Sequence, residues 1–166
     1  MWKKTKLFSI YFIFLHKTSF SLKIKTISSQ QTFGVRHPIL RKGLAIESCH
    51  FRRDNHEKTF HLGAYKKDKI IGVISCYLEN GAYFKNGINY QIRGVAVLEK
   101  FQKKGIGRAL MVEAEKNLRT SNCDFIWLNA RVNANVFYTK LKYDPIGPIF
   151  NVPEIGNHQC FYKKLN

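Results

Sequence analysis

Acidic residues are scarce in this chain: 11 Asp and Glu stand against 28 Lys and Arg in 166 residues, a formal charge of +17. A field of that sign works against polycationic partners and favours anionic ones, whether nucleic acid, a membrane surface or a phosphorylated cofactor. Cysteine is sparse too. Cys49, Cys76, Cys123 and Cys160 stand singly. The lack of any C-x-x-C pair excludes a zinc ribbon or a disulfide framework and fits a reducing, cytoplasmic compartment. His50, His56, His61 and His158 lack metal-ligand spacing, so no metal site is expected. Two phosphate motifs are missing as well. There is no G-x-x-x-x-G-K-[ST] loop, and Leu110 stands where a dinucleotide fingerprint needs its third glycine. Asp124 precedes the next strand, whereas that fingerprint needs an acid after it. No internal repeat or low-complexity linker divides the chain, so one domain is expected.

What is present is 45% apolar residues and 14% aromatics, which excludes a disordered chain. Six lysines (Lys3, Lys4, Lys6, Lys17, Lys23 and Lys25) fall in the first 25 residues, which hold no acid. The other 141 residues, with 22 bases against 11 acids, still carry +11. The apolar run Leu7–Leu15 is too short to span a bilayer, which takes about 20 residues. It matches the apolar region of a signal peptide, but Ser19-Phe20-Ser21 imitates a cleavage site poorly. Residues 1–21 are therefore read as a basic and apolar extension of unknown role, ahead of a domain over 22–166.

From Leu22 onward the periodicity is regular. Residues 22–28 alternate as a strand. Ser28 and Ser29 suit the cap of a short helix near 29–41, carrying Phe33, Val35, Ile39 and Leu40 and limited by Pro38. Residues 42–57 read as a polar loop, 58–66 and 69–79 as a hairpin around Lys67-Asp68, and 88–97 as a further strand. Over 105–119, Ile106, Leu110, Ala114 and Leu118 form an apolar stripe at i+4 spacing. A buried strand is expected over 124–131 and a helix over 133–143 with Val136, Phe137 and Leu141 as its apolar positions. Pro145, Pro148 and Pro153 break the chain before a last strand over 158–165. The order β-α-β-β-β-α-β-α-β is that of one mixed α/β sheet.

The chemistry concentrates in residues 93–111, where a strand ending Val95-Ala96-Val97 leads through a short loop into Gly105-Ile106-Gly107 and the amphipathic helix. Glycines there let the backbone approach a ligand, and the free N–H groups and dipole of the first turn favour an anion. Lys103, Lys104 and Arg108 surround that turn and add charge. The arrangement is a phosphate cradle.

Gln102-Lys103-Lys104-Gly105-Ile106-Gly107 resembles the [RQ]-x-x-G-x-[GA] acetyl-CoA loop of the GCN5-related N-acetyltransferase superfamily. Residues 134–141, Ala134-Asn135-Val136-Phe137-Tyr138-Thr139-Lys140-Leu141, resemble its A-x-x-(F/L)-Y-x-x-L segment. The hairpin and the Leu128-Asn129-Ala130-Arg131 strand end look like the ElaA-type branch. The resemblance implies a single α/β domain whose central, mixed and mostly antiparallel sheet is flanked by helices and splayed between its fourth and fifth strands. It also implies acetyl transfer from acetyl-CoA to a primary amine of a small molecule or peptide, by direct attack.

By the same resemblance, main-chain groups at Val95 and Val97 hold the pantetheine arm and acetyl carbonyl. N–H groups from Gln102 through Lys103, Lys104, Gly105, Ile106 and Gly107 to Arg108 hold the pyrophosphate, and Tyr138 protonates the departing thiolate. A phenol with a pKa of about 10 keeps its proton at neutral pH and can donate it. Two residues depart from the family's pattern. Lys142-Tyr143 stands where Gly-Phe is frequent, so either a lysine takes a left-handed backbone or the helix ends differently, and Arg131 replaces a frequent Asn. Glu47, Glu57, Glu79, His61 and His158, or a carboxylate acting through water, are candidates for the base that takes the amine's proton, and the sequence singles out none of them. The alternatives are a non-catalytic CoA-binding domain and a basic nucleic-acid-binding module. For the second, no RNP-type, zinc or helix-turn-helix pattern is present, and neither nucleic acid nor membrane is expected as a partner. A homodimer is left open.

Overall fold

The computed structural model describes residues 22–165, so the expectations for 1–21 lie outside the described residues. The strands are β1 (Leu22–Ile27), β2 (Phe60–Lys66), β3 (Lys69–Leu78), β4 (Asn89–Val97), β5 (Phe125–Arg131), β6 (Asp144–Val152) and β7 (Gly156–Lys164). The helices are α1 (Phe33–Leu40), α2 (Ile106–Thr120) and α3 (Asn135–Lys140). One seven-stranded sheet runs β1-β2-β3-β4-β5-β7-β6, and every neighbouring pair is antiparallel except β4–β5.

The helix stripe read from the sequence is the spine of the core: Ile106, Leu110, Ala114 and Leu118 are all buried against one face of the sheet. They come so close that a Cβ on Gly72 of β3 would stand 3.0 Å from Ile106 and 3.1 Å from Leu110. A smaller cluster of Ile27, Val35, Val73 and Ala96 seats α1 on the opposite face. Ser28 starts that region with a capping box: its Oγ accepts the Gln31 N–H (3.3 Å) while its own N–H donates to Gln31 Oε1 (2.9 Å).

Four expectations need correction. The segment with Pro145 and Pro148 is a strand, β6, at the edge of the sheet, where a residue without an N–H is tolerated. Its pairing with β7 is interrupted between Ile146 and Phe150. β5 is half-buried rather than buried, because Phe125, Trp127, Asn129 and Arg131 face away from the core that holds Ile126, Leu128 and Ala130. The helix expected over 133–143 is only α3, entered through a 3-10 turn, and Val136 is exposed. In α1 the buried side chains are Val35 and, unforeseen, Arg36.

The end of α3 shows why a glycine is frequent after this helix. Tyr143 N–H bonds to Tyr138 O (3.1 Å) and Lys142 N–H to Thr139 O (3.0 Å), a Schellman closure that drives Lys142 to φ +64°. A left-handed lysine costs about 1 kcal/mol or more. Lys142→Gly will therefore raise the stability by about 1 kcal/mol, read as a higher midpoint with unchanged slope in urea unfolding.

Candidate active site

β4 and β5 pair in parallel for only three residues, Asn89↔Phe125 to Gln91↔Trp127, and then part. The register of β4 against β3 shifts beside Ile74, where Gly94 (φ +63°) and Val95 together oppose one residue. The bulge bends β4 away, and the gap opens into a cavity of about 750 Å³. Val95, Gln102 and Tyr138, three of the residues marked in the sequence, line it. Val97 and residues 103–108 are not in its wall but continue from it along the loop.

That loop is held by its own side chains. Gln102 Nε2 donates to Val97 O (2.9 Å) and Lys104 Nζ to Lys100 O (2.9 Å). Leu98 N–H bonds to Ile71 O (2.9 Å), so alternation turns the Val97 main chain toward β5. Its carbonyl is taken by Gln102, which leaves its N–H. Lys103 (φ +57°) and Gly105 (φ +80°) turn the backbone so that the N–H groups from Lys103 to Arg108 have no backbone partner among the described residues. A Cβ on Gly105 would meet nothing within 4 Å, so its conformation is what calls for glycine. Gly107 is different, since a Cβ there would press on Phe137 at 3.3 Å.

Tyr138 is buried between Phe137, Tyr143 and Phe161, with ring centroids 5.0, 6.1 and 6.0 Å away. Its hydroxyl makes no hydrogen bond to a described residue, and burial pushes its pKa up. Of the five candidate bases only His158 lines the cavity. Its Nδ1 lies 2.8 Å from Gly156 O. A carbonyl only accepts, so Nδ1 carries the proton of the neutral ring and Nε2 keeps its lone pair. Glu47 and Glu57 are exposed elsewhere, and Glu79 pairs with Arg52 (2.6 Å).

His61 belongs instead to a buried network that sequence reasoning missed. Fully buried Arg36 donates to Asp54 through Nη1 (2.8 Å) and Nη2 (3.2 Å), and also to Cys49 O (2.9 Å), Ser75 Oγ (2.6 Å) and Tyr77 OH (3.1 Å). Tyr77 OH donates to Asp54, and Phe51 N–H does so at 2.9 Å. His61 bridges Ser75 Oγ (2.6 Å) and Asp54 O (2.9 Å). A cation within the apolar spacing of α1 was the one available signal. Burial pushes the Asp54 carboxyl up, but the bonds from Arg36, Tyr77 and Phe51 outweigh it and hold it below its ordinary value. Burial, aided by Arg36 and opposed by the Asp54 carbonyl, lowers His61.

Residues 25–143 match the Acetyltransferase (GNAT) family. The chain is 35% identical over 144 residues to the uncharacterized N-acetyltransferase YitI of Bacillus subtilis (strain 168), covering 87% of this chain and 97% of that one. Among the solved structures that share its fold are two that hold coenzyme A. An aminoglycoside 6'-N-acetyltransferase complexed with coenzyme A has a TM-score of 0.70 at 13% identity, covering 87% of this chain and 97% of that one. The NatC complex bound to Gag peptide and CoA gives 0.71 at 17%, covering 88% and 99%. The chain belongs to the GNAT family. It is an acyltransferase with acetyl-CoA as cosubstrate.

Asp54→Asn will cost about 3–5 kcal/mol, because it leaves a buried guanidinium uncompensated. Both His61 and Asp54 have depressed pKa values in the fold, so both contribute stability that is lost as pH falls. Unfolding free energy will decline below about pH 6.5, where the unfolded His61 gains a proton, and again below about pH 4 for Asp54. Denaturant titrations from about pH 3 to about pH 8 on the wild type and on His61→Gln will show the first decline only where His61 is present.

Proposed function

We propose that the protein transfers the acetyl group of acetyl-CoA directly to a primary amine of a small molecule or peptide bound in the β4–β5 cavity. The observation that carries this reading is the convergence of Val95, Gln102 and Tyr138 on one cavity that opens beside unpaired N–H groups at the start of α2. Those N–H groups, from Lys103 to Arg108, hold the pyrophosphate, with the cations of Lys103, Lys104 and Arg108 around it, whereas the Gln102 N–H is taken by Glu99 O (3.1 Å). Main-chain groups at Val95 and the N–H of Val97 receive the pantetheine arm and the acetyl carbonyl. Disulfide-free cysteines fit a cytoplasmic setting.

In the reaction a neutral amine attacks the thioester carbonyl, main-chain donors stabilise the oxyanion, and the thiolate leaves with a proton from Tyr138. Burial keeps the phenol protonated but weakens it as an acid, so its contribution falls at the lower end, about 10²-fold. His158 Nε2 takes the proton that the amine releases.

Acetyl-CoA titrated into the full chain by calorimetry will bind in the micromolar range, about −8 kcal/mol, and Gly105→Val will weaken it. A folded wild type that shows neither heat nor competition by CoA would end this reading. Tyr138→Phe will lower kcat about 10²-fold with the KM for acetyl-CoA unchanged. His158→Gln will lower kcat about 10²-fold with the KM for acetyl-CoA unchanged; an unchanged kcat would remove His158 from this role.

A further inference from the structure

The cavity wall that faces α1 is unusual in its charges. Arg41, Arg93 and Arg131 all line the cavity, and no Asp or Glu does. None of the three has a carboxylate within 4.0 Å among the described residues, whereas Arg36 beside them is compensated by Asp54.

Two of these guanidiniums, Arg41 and Arg93, are held in place. Arg41 Nε donates to Ser48 O and Nη1 to Leu40 O, both at 3.1 Å. The Phe51 ring carries Arg41 and Arg93 at 5.1 and 5.0 Å from its centroid, and Arg93 also lies 5.3 Å from the Tyr77 ring. Each is half-buried, so water screens it only in part. Burial and the repulsion of Arg131, Arg93 and Arg36 lower the Arg41 pKa, a sign of mutual crowding that an anion would relieve.

They also lie away from the acetyl-CoA loop. Tyr90 and Ile92 of β4, like Ile126, Leu128 and Ala130 of β5, face the core with α2. Alternation therefore turns Arg93 and Arg131 to the other face, where Arg41 follows α1. Arg131 pairs in register with His158, so the candidate base stands on the same face.

We infer that the acceptor is an amine that also carries an oxyanion, a carboxylate or a phosphate, and that Arg41, Arg93 and Arg131 bind that group. The inference rests on the acetyl transfer proposed above and specifies its acceptor. Planar guanidinium forks suit a carboxylate or phosphate in bidentate fashion, and Arg41 and Arg93, already held, lose little freedom on binding. The same cations disfavour the ammonium form of a bound amine, which supplies the neutral nucleophile. A polyamine meets only repulsion here.

The test is an acetylation assay on the full chain at saturating acetyl-CoA, with calorimetry of CoA alongside. The amines are glutamate and β-alanine, phosphoethanolamine, butylamine and spermidine. The expected result is a kcat/KM for the amino acids or phosphoethanolamine at least about 10²-fold above butylamine, with spermidine lowest. Whichever anionic arm is faster identifies the group. Arg93→Gln and Arg131→Gln will each raise the acceptor KM about ten-fold or more while leaving CoA affinity unchanged. Intact CoA binding with butylamine or spermidine preferred overturns this inference alone, as does loss of CoA affinity in the arginine variants. No CoA binding to folded protein overturns the acetyl transfer and this inference with it.

Discussion

The buried ion pair between Arg36 and Asp54 is the constraint on which the cavity depends. It joins α1 to the segment after Cys49, and Ser75 and Tyr77 tie both to β3. A buried pair is weak evidence for stability, since the cost of desolvating two charges rivals their attraction. Its value here is placement. The guanidinium lies 4.1 Å from the Phe51 centroid, its Nε without a hydrogen bond among the described residues. A Cβ on Gly94 would come within 3.0 Å of Phe51 and 3.1 Å of that Nε. The bulge that opens the gap between β4 and β5 thus fits around the ion pair, and neither shifts alone.

What the sequence revealed and what it concealed divide along the same line. The stripe of α2, the hairpin of β2 and β3 and the glycine loop were legible because each is written in residues a few positions apart. β6 was not, because Pro145 and Pro148 forbid a central strand but allow an edge, and nothing local says which strand is an edge. Asp54 lay hidden in a loop read as polar, since its partners are 18 residues away in α1 and 23 away in β3. Arg131 was visible as a departure from the family's pattern, but its meaning depends on Arg41 and Arg93, which only the fold brings beside it. The candidate site was legible as a cofactor loop and a tyrosine; its acceptor side was not.

Net charge gave the least guidance of all, and the reason is physical. A total of +17 describes the far field, which recruits any anion. Recognition depends on which cations remain uncompensated where a ligand must stop. The pyrophosphate site proposed at the start of α2 offers main-chain N–H groups and exposed lysines, an arrangement suited to a pyrophosphate with little regard to its exact angle. The acceptor site proposed on the α1 face offers guanidiniums, Arg41 held by carbonyls and both Arg41 and Arg93 by an aromatic ring, which suit planar, bidentate geometry. Arg36 shows the contrast, because its cation is spent inside the fold on Asp54. One residue type thus builds the wall in one position and is proposed to read the ligand in three others, and the sorting is done by a single acid, Asp54, in a chain that has few to spare.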